Sequence, residues 1–155
     1  MKKILEAICA IFLLGALVAW SQSAKSAASP QQGRAVQVQI RYTGSGKVDD
    51  SHKIYVALWD STDFTSPGYN APPVALQSTN SKDGVVVFSN IQKVPAYVSA
   101  AFDPTGQWDA QSNPPPGSSL GMVSTAPPKP DAIDVALGQT AKVTVNFNDS
   151  VRVGQ

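Results

Sequence analysis

The sequence predicts an all-β protein, an antiparallel sandwich of six or seven strands behind a helical signal peptide, on three observations. Two segments alternate apolar and polar residues strictly, Val36 to Tyr42 and Lys142 to Asn148, which is the period of a half-buried strand. Past Glu6 every acidic residue is aspartate, favoured in turns and caps, and the better helix former glutamate is absent. Clusters of glycine, proline, asparagine and aspartate separate the apolar runs.

In chain order, Val36 to Tyr42 (VQVQIRY) places Val36, Val38, Ile40 and Tyr42 on one face and Gln37, Gln39 and Arg41 on the other. Thr43 to His52 is a glycine and aspartate loop. Lys53 to Asp60 (KIYVALWD) is almost wholly apolar, as a central strand covered on both faces requires. Ser61 to Pro73 holds Pro67, Gly68, Pro72 and Pro73 and reads as a long loop, with a short strand over Val74 to Thr79. Lys82, Asp83 and Gly84 turn into Val85 to Phe88, and Ala96 to Phe102 (AYVSAAF) is expected to pair with that run across their connection. Pro104 to Pro130 is rich in proline and is expected to be mostly irregular, a length that often carries function. Ala132 to Leu137 is read as a moderate strand, and Lys142 to Asn148 as the last one, with Val143, Val145 and Phe147 inward. There is no internal repeat.

The first residues have the layout of an export signal. Lys2 and Lys3 supply the positive end, Ala7 to Ala19 the apolar stretch, and small residues follow, so that a cut after Ser21 or Ser23 satisfies the narrow peptidase pocket. The stretch is too short to span a membrane, and Trp20, Ser21, Gln22 and Ser23 interrupt it. Residues 1–23 are thus assigned as signal peptide, 24–34 as a flexible leader, 35–149 as one sandwich domain and 150–155 as a tail. The expected location is the periplasm or the cell exterior, with no stable membrane span after cleavage. The one cysteine, Cys9, lies within the signal, so the mature chain is expected to have neither disulfides nor thiolate chemistry.

Acidic and basic side chains balance after the signal, and the basic ones are scattered singly. Without a basic stripe to follow a phosphate backbone, nucleic acid is not an expected partner. His52, the single histidine, stands beside Asp49 and Asp50 in a polar loop, and no serine has a G-x-S-x-G setting. Gly44-Ser45-Gly46-Lys47 lacks the spacing and the following helix of a phosphate loop. Asn148-Asp149-Ser150 is a formal glycosylation acceptor, without consequence in a bacterial host.

The order IYVALWD with Phe64 shortly after, KDGVVVFSNI, AYVSAAFDPTGQWD and a glycine and proline loop reaching Gly121 resembles a group of secreted bacterial proteins with a transthyretin-like or carboxypeptidase-regulatory-like sandwich. The resemblance spans about Val36 to Phe147 and implies a prealbumin- or immunoglobulin-like architecture. Members of that group often carry a calcium-loop-like turn after the strand matched by Ala96 to Asp103. Asp103 and Asp109 match its charged ligand positions, while Thr105 and Gln107 depart from it. Calcium is accordingly the one cofactor in question, and an Asp-Pro-Thr-Gly turn needing no metal is the competing reading.

The candidate ligand-binding residues are Trp59, Asp60, Asp63, Tyr69 and Trp108, at one end of the sandwich, where aromatic faces can stack on a sugar or a partner chain. The expectation is an exported, non-catalytic binding or accessory module with an unknown protein or glycan ligand. A structural spacer or assembly subunit of the envelope and a calcium-stabilised carbohydrate-binding module are the alternatives.

Overall fold

A computed structural model describes residues 33–154; the segment expected to be a signal peptide and almost all of the expected leader lie outside the described residues. Seven strands form: β1 (Arg34–Tyr42), β2 (Ile54–Trp59), β3 (Ala75–Thr79), β4 (Val85–Ile91), β5 (Tyr97–Phe102), β6 (Ser119–Met122) and β7 (Thr140–Phe147). They make two sheets, one ordered β4-β1-β7 and the other β3-β2-β5-β6. Among the described residues the only helical element is a single 3-10 turn, Asp63–Thr65, and no helix is long and apolar enough to cross a membrane.

The alternation read in β1 sends Val36, Val38, Ile40 and Tyr42 into the core. They meet Ile54, Val56 and Leu58 of β2, Val98, Ala100 and Phe102 of β5, and Val86, Phe88, Val145 and Phe147 from the strands flanking β1. Each of the valines, isoleucines, phenylalanines and the leucine among them is worth roughly 1.5–3 kcal/mol when fully buried, so the apolar layer is what holds the two sheets together.

Three expectations need correction. The sandwich is not wholly antiparallel: β7 runs parallel to β1, in register from Ala35↔Thr140 to Tyr42↔Phe147. Alternation reports which face a residue takes and carries no information on strand direction, so this pairing was open until the sheets closed. Val85 to Phe88 and Ala96 to Phe102 do not pair; β4 joins β1 and β5 joins β2, in different sheets. The apolar pattern of the two runs fixes which face of each is buried and not which strand each joins.

Ala132 to Leu137 forms no strand. Ile133 and Val135 are buried as the alternation requires, but the backbone pairs only at Ile133, with Ala96. The proline-rich region is mostly irregular, as expected, but holds β6, which pairs with β5, and Gly121 in β6 lies so close to β7 that a Cβ there would sit 2.5 Å from that of Phe147. The polar tail also belongs to the domain: the Val153 carbonyl accepts from Gly117, the Val151 carbonyl accepts from Leu120, and Val153 N–H donates to Ser118.

Candidate functional site

The period that buries Ile54, Val56 and Leu58 turns Tyr55, Ala57 and Trp59 to the outer face of the four-stranded sheet. Register places Ser99 opposite Ala57 and Ala101 opposite Tyr55 on β5, with Leu120 and Met122 beyond them on β6 and Leu76 on β3. Two long loops rise over this floor, residues 60–74 after β2 and 103–118 after β5. Together they enclose a groove of about 390 Å³, a volume within the range of small-molecule sites.

One wall is built on Trp59. Its indole stacks on Phe64 with ring centres 4.9 Å apart and planes 13° apart, and Tyr69 meets it edge-on at 5.9 Å. The indole Nε1–H donates to Ser99 Oγ at 2.9 Å, which fixes the ring on the sheet. Pro72 and Pro73 complete this side. On the other side Trp108 packs edge-on against Tyr55 at 4.6 Å, the Tyr55 hydroxyl donates to the Trp108 carbonyl at 3.2 Å, and Trp108 Nε1–H donates to the Ser112 carbonyl at 3.1 Å.

Asp103 shapes that second wall. Its side chain is buried, with one oxygen accepting from the Thr105 N–H and hydroxyl and the other from the Trp108 N–H. Burial pushes its carboxyl upward, but the bonds from Thr105, Trp108 and Gly106 outweigh it and hold the group below its ordinary value. Asp109 repeats the device on a smaller scale, accepting from the Gln111 N–H and the Ser112 hydroxyl. Gly106, at φ +67, carries the turn where a Cβ would press within 2.6 Å of the Ser51 carbonyl, and Ala110 adopts φ 60 without being glycine.

Of the residues nominated from sequence, Trp59, Tyr69 and Trp108 line one groove. Asp60 and Asp63 do not: Asp60 pairs with Lys93 at 2.8 Å, whose hydrogen bond and charge hold its carboxyl below the usual range, and Asp63 accepts from Ser61 in the 3-10 turn. Asp103 engages both carboxylate oxygens and Asp109 one of them within their own turns, and among the described residues no three His, Cys, Asp or Glu side chains gather as metal ligands. His52 is held by Asp49 at 3.0 Å in the β1–β2 loop and is not part of the groove.

Tyr55, Phe64, Leu120 and Met122 were not nominated. Tyr55 carried a signal, since it precedes Trp59 by four residues and shares its face. Leu120 and Met122 carried none, because β6 is a four-residue strand inside a proline-rich stretch. Comparison of the chain with family models, with curated proteins and with solved structures finds no match.

Proposed function

We propose that this chain is an exported, non-catalytic binding module whose ligand occupies the groove on the outer face of the β3-β2-β5-β6 sheet. The observation that carries the reading is the convergence of Trp59, Phe64 and Tyr69 on one side and Tyr55 and Trp108 on the other, around a floor of small residues. A sheet face with no role would carry scattered polar side chains instead; here the large rings come from three separate segments and leave a hollow between them. Export rests on the signal layout of residues 1–23. The non-catalytic reading rests on the lining itself, which includes no histidine, cysteine, lysine, arginine or carboxylate to move a proton or attack a substrate.

Tryptophan emission tests this. Titration with a panel of neutral glycans, extended peptides and small uncharged organic molecules should change the intensity or wavelength for one class. Trp59→Phe and Trp108→Phe should each remove part of the change. A panel-wide absence of response, or a response that both variants leave intact, contradicts the assignment of this groove.

A further inference from the structure

The groove's own hydrogen bonding restricts what it can hold. We infer that its ligand is an uncharged, predominantly apolar small molecule, an inference that rests on the binding reading above and narrows it. The lining has no charged side chain, so an anionic or cationic group entering it would lose hydration with no opposite charge to replace it.

Most of the indole and hydroxyl donors of the lining are already engaged. Trp59 Nε1–H is taken by Ser99, Trp108 Nε1–H by the Ser112 carbonyl, the Tyr55 hydroxyl by the Trp108 carbonyl, and the Thr65 hydroxyl by the Thr62 carbonyl. A sugar seated there would bury hydroxyls against rings whose own donors point elsewhere, and each unmatched polar group costs about 1–3 kcal/mol. The Tyr69 and Ser99 hydroxyls donate to no group among the described residues, and with the amides of Asn70, Gln111 and Asn113, exposed at the rim, they can meet a few polar groups of a ligand without wetting its body.

Shape argues in the same direction. The two aromatic clusters grow from Tyr55 and Trp59, four residues apart on one strand, which separates them by roughly 13 Å. Between them the floor is Ala57, Ser99 and Ala101, all small. An elongated apolar molecule lying along β2 fills the hollow and touches a ring cluster at each end. Burial of such a ligand needs no rearrangement of donors, because none of the engaged groups has to be released.

Two related probes and two variants test the inference on the purified protein. N-phenylnaphthylamine is neutral, and anilinonaphthalene sulfonate is nearly the same molecule with a fixed negative charge. The neutral probe should bind saturably with enhanced emission, and the anionic one about tenfold or more weaker. Ala57→Phe fills the floor from β2 and Met122→Trp from β6; each should weaken the neutral probe about tenfold while near-ultraviolet circular dichroism shows the fold retained. Two variants on different strands guard against one of them failing to fold.

Equal affinity for the two probes would overturn the inference. So would binding of an oligosaccharide or oligoproline that both variants abolish while the neutral probe fails, an outcome that would leave the binding-module reading standing. Failure of every probe, glycan and peptide alike would remove both.

Discussion

Replacing Asp149 with alanine is expected to lower stability by about 3 kcal/mol, a fall in melting temperature on the order of 10 °C. The carboxylate lies just past β7 and ties four segments together. One oxygen accepts from the Tyr42 and Ser119 hydroxyls, the other from the N–H and hydroxyl of Ser45, and Arg152 reaches it at 3.1 Å. Tyr42 and Ser119 are almost wholly buried, so truncation leaves their hydroxyls without a partner, which is the costly half of losing a hydrogen bond. Burial raises the Tyr42 phenol above its ordinary value, with the bond to Asp149 adding to it, so it remains a proton donor through the neutral range.

The same site sets a pH dependence. The hydrogen bond from Tyr42, helped by those from Ser45 and Ser119 and opposed by burial, holds the Asp149 carboxyl far below its unfolded value. A depressed folded value means that the stabilisation is fully present above about pH 4, the unfolded carboxylate range, and is lost as pH falls below it. Denaturant midpoints measured from pH 7 down to pH 2 should therefore show the wild-type advantage over Asp149→Ala shrinking below about pH 4. A constant gap across that range would separate the carboxylate's charge from its structural role.

Phe102→Ala is expected to cost more, about 3–5 kcal/mol, enough to consume much of the 5–15 kcal/mol typical of a domain. Phe102 ends β5, is 3% exposed and packs on Tyr42 with ring centres 5.0 Å apart. Gly46 approaches it so closely that a Cβ would stand 2.2 Å from the ring, so the loop after β1 is shaped to this side chain. The cavity left by alanine would lie beneath the Asp149 cluster, and the two substitutions share Tyr42 as a neighbour. Their combined cost, read from denaturant midpoints, should depart from the sum of the single costs by about 0.5 kcal/mol or more.

The strands were readable where burial alone decides the residue type. β1 and β7 alternate because each has one face in the core and one in water, and β2 is nearly all apolar because the core covers one face and the groove the other. What could not be read was partnership. Nothing in Val86 and Phe88 says that their strand pairs with β1 instead of β5, and nothing in Val143 or Val145 tells a parallel from an antiparallel approach.

The groove was half visible for a similar reason. Aromatic residues at strand ends and in loops stood out, so Trp59, Tyr69 and Trp108 could be named, but their meeting depends on where two long loops land. Asp60 and Asp63 were drawn in by proximity in sequence and proved to serve Lys93 and a local turn. Asp149 stood out only as the middle of a formal glycosylation acceptor, and only the return of β7 beside β1 places it against Tyr42, over a hundred residues away in the chain.

Backbone amide shifts recorded while the neutral naphthylamine is titrated into the isotopically labelled protein address the functional reading at its source. Movement concentrated at Tyr55, Ala57, Trp59, Ser99, Trp108, Leu120 and Met122 is the predicted outcome. Movement confined to β4, β1 and β7, on the opposite sheet, would contradict it.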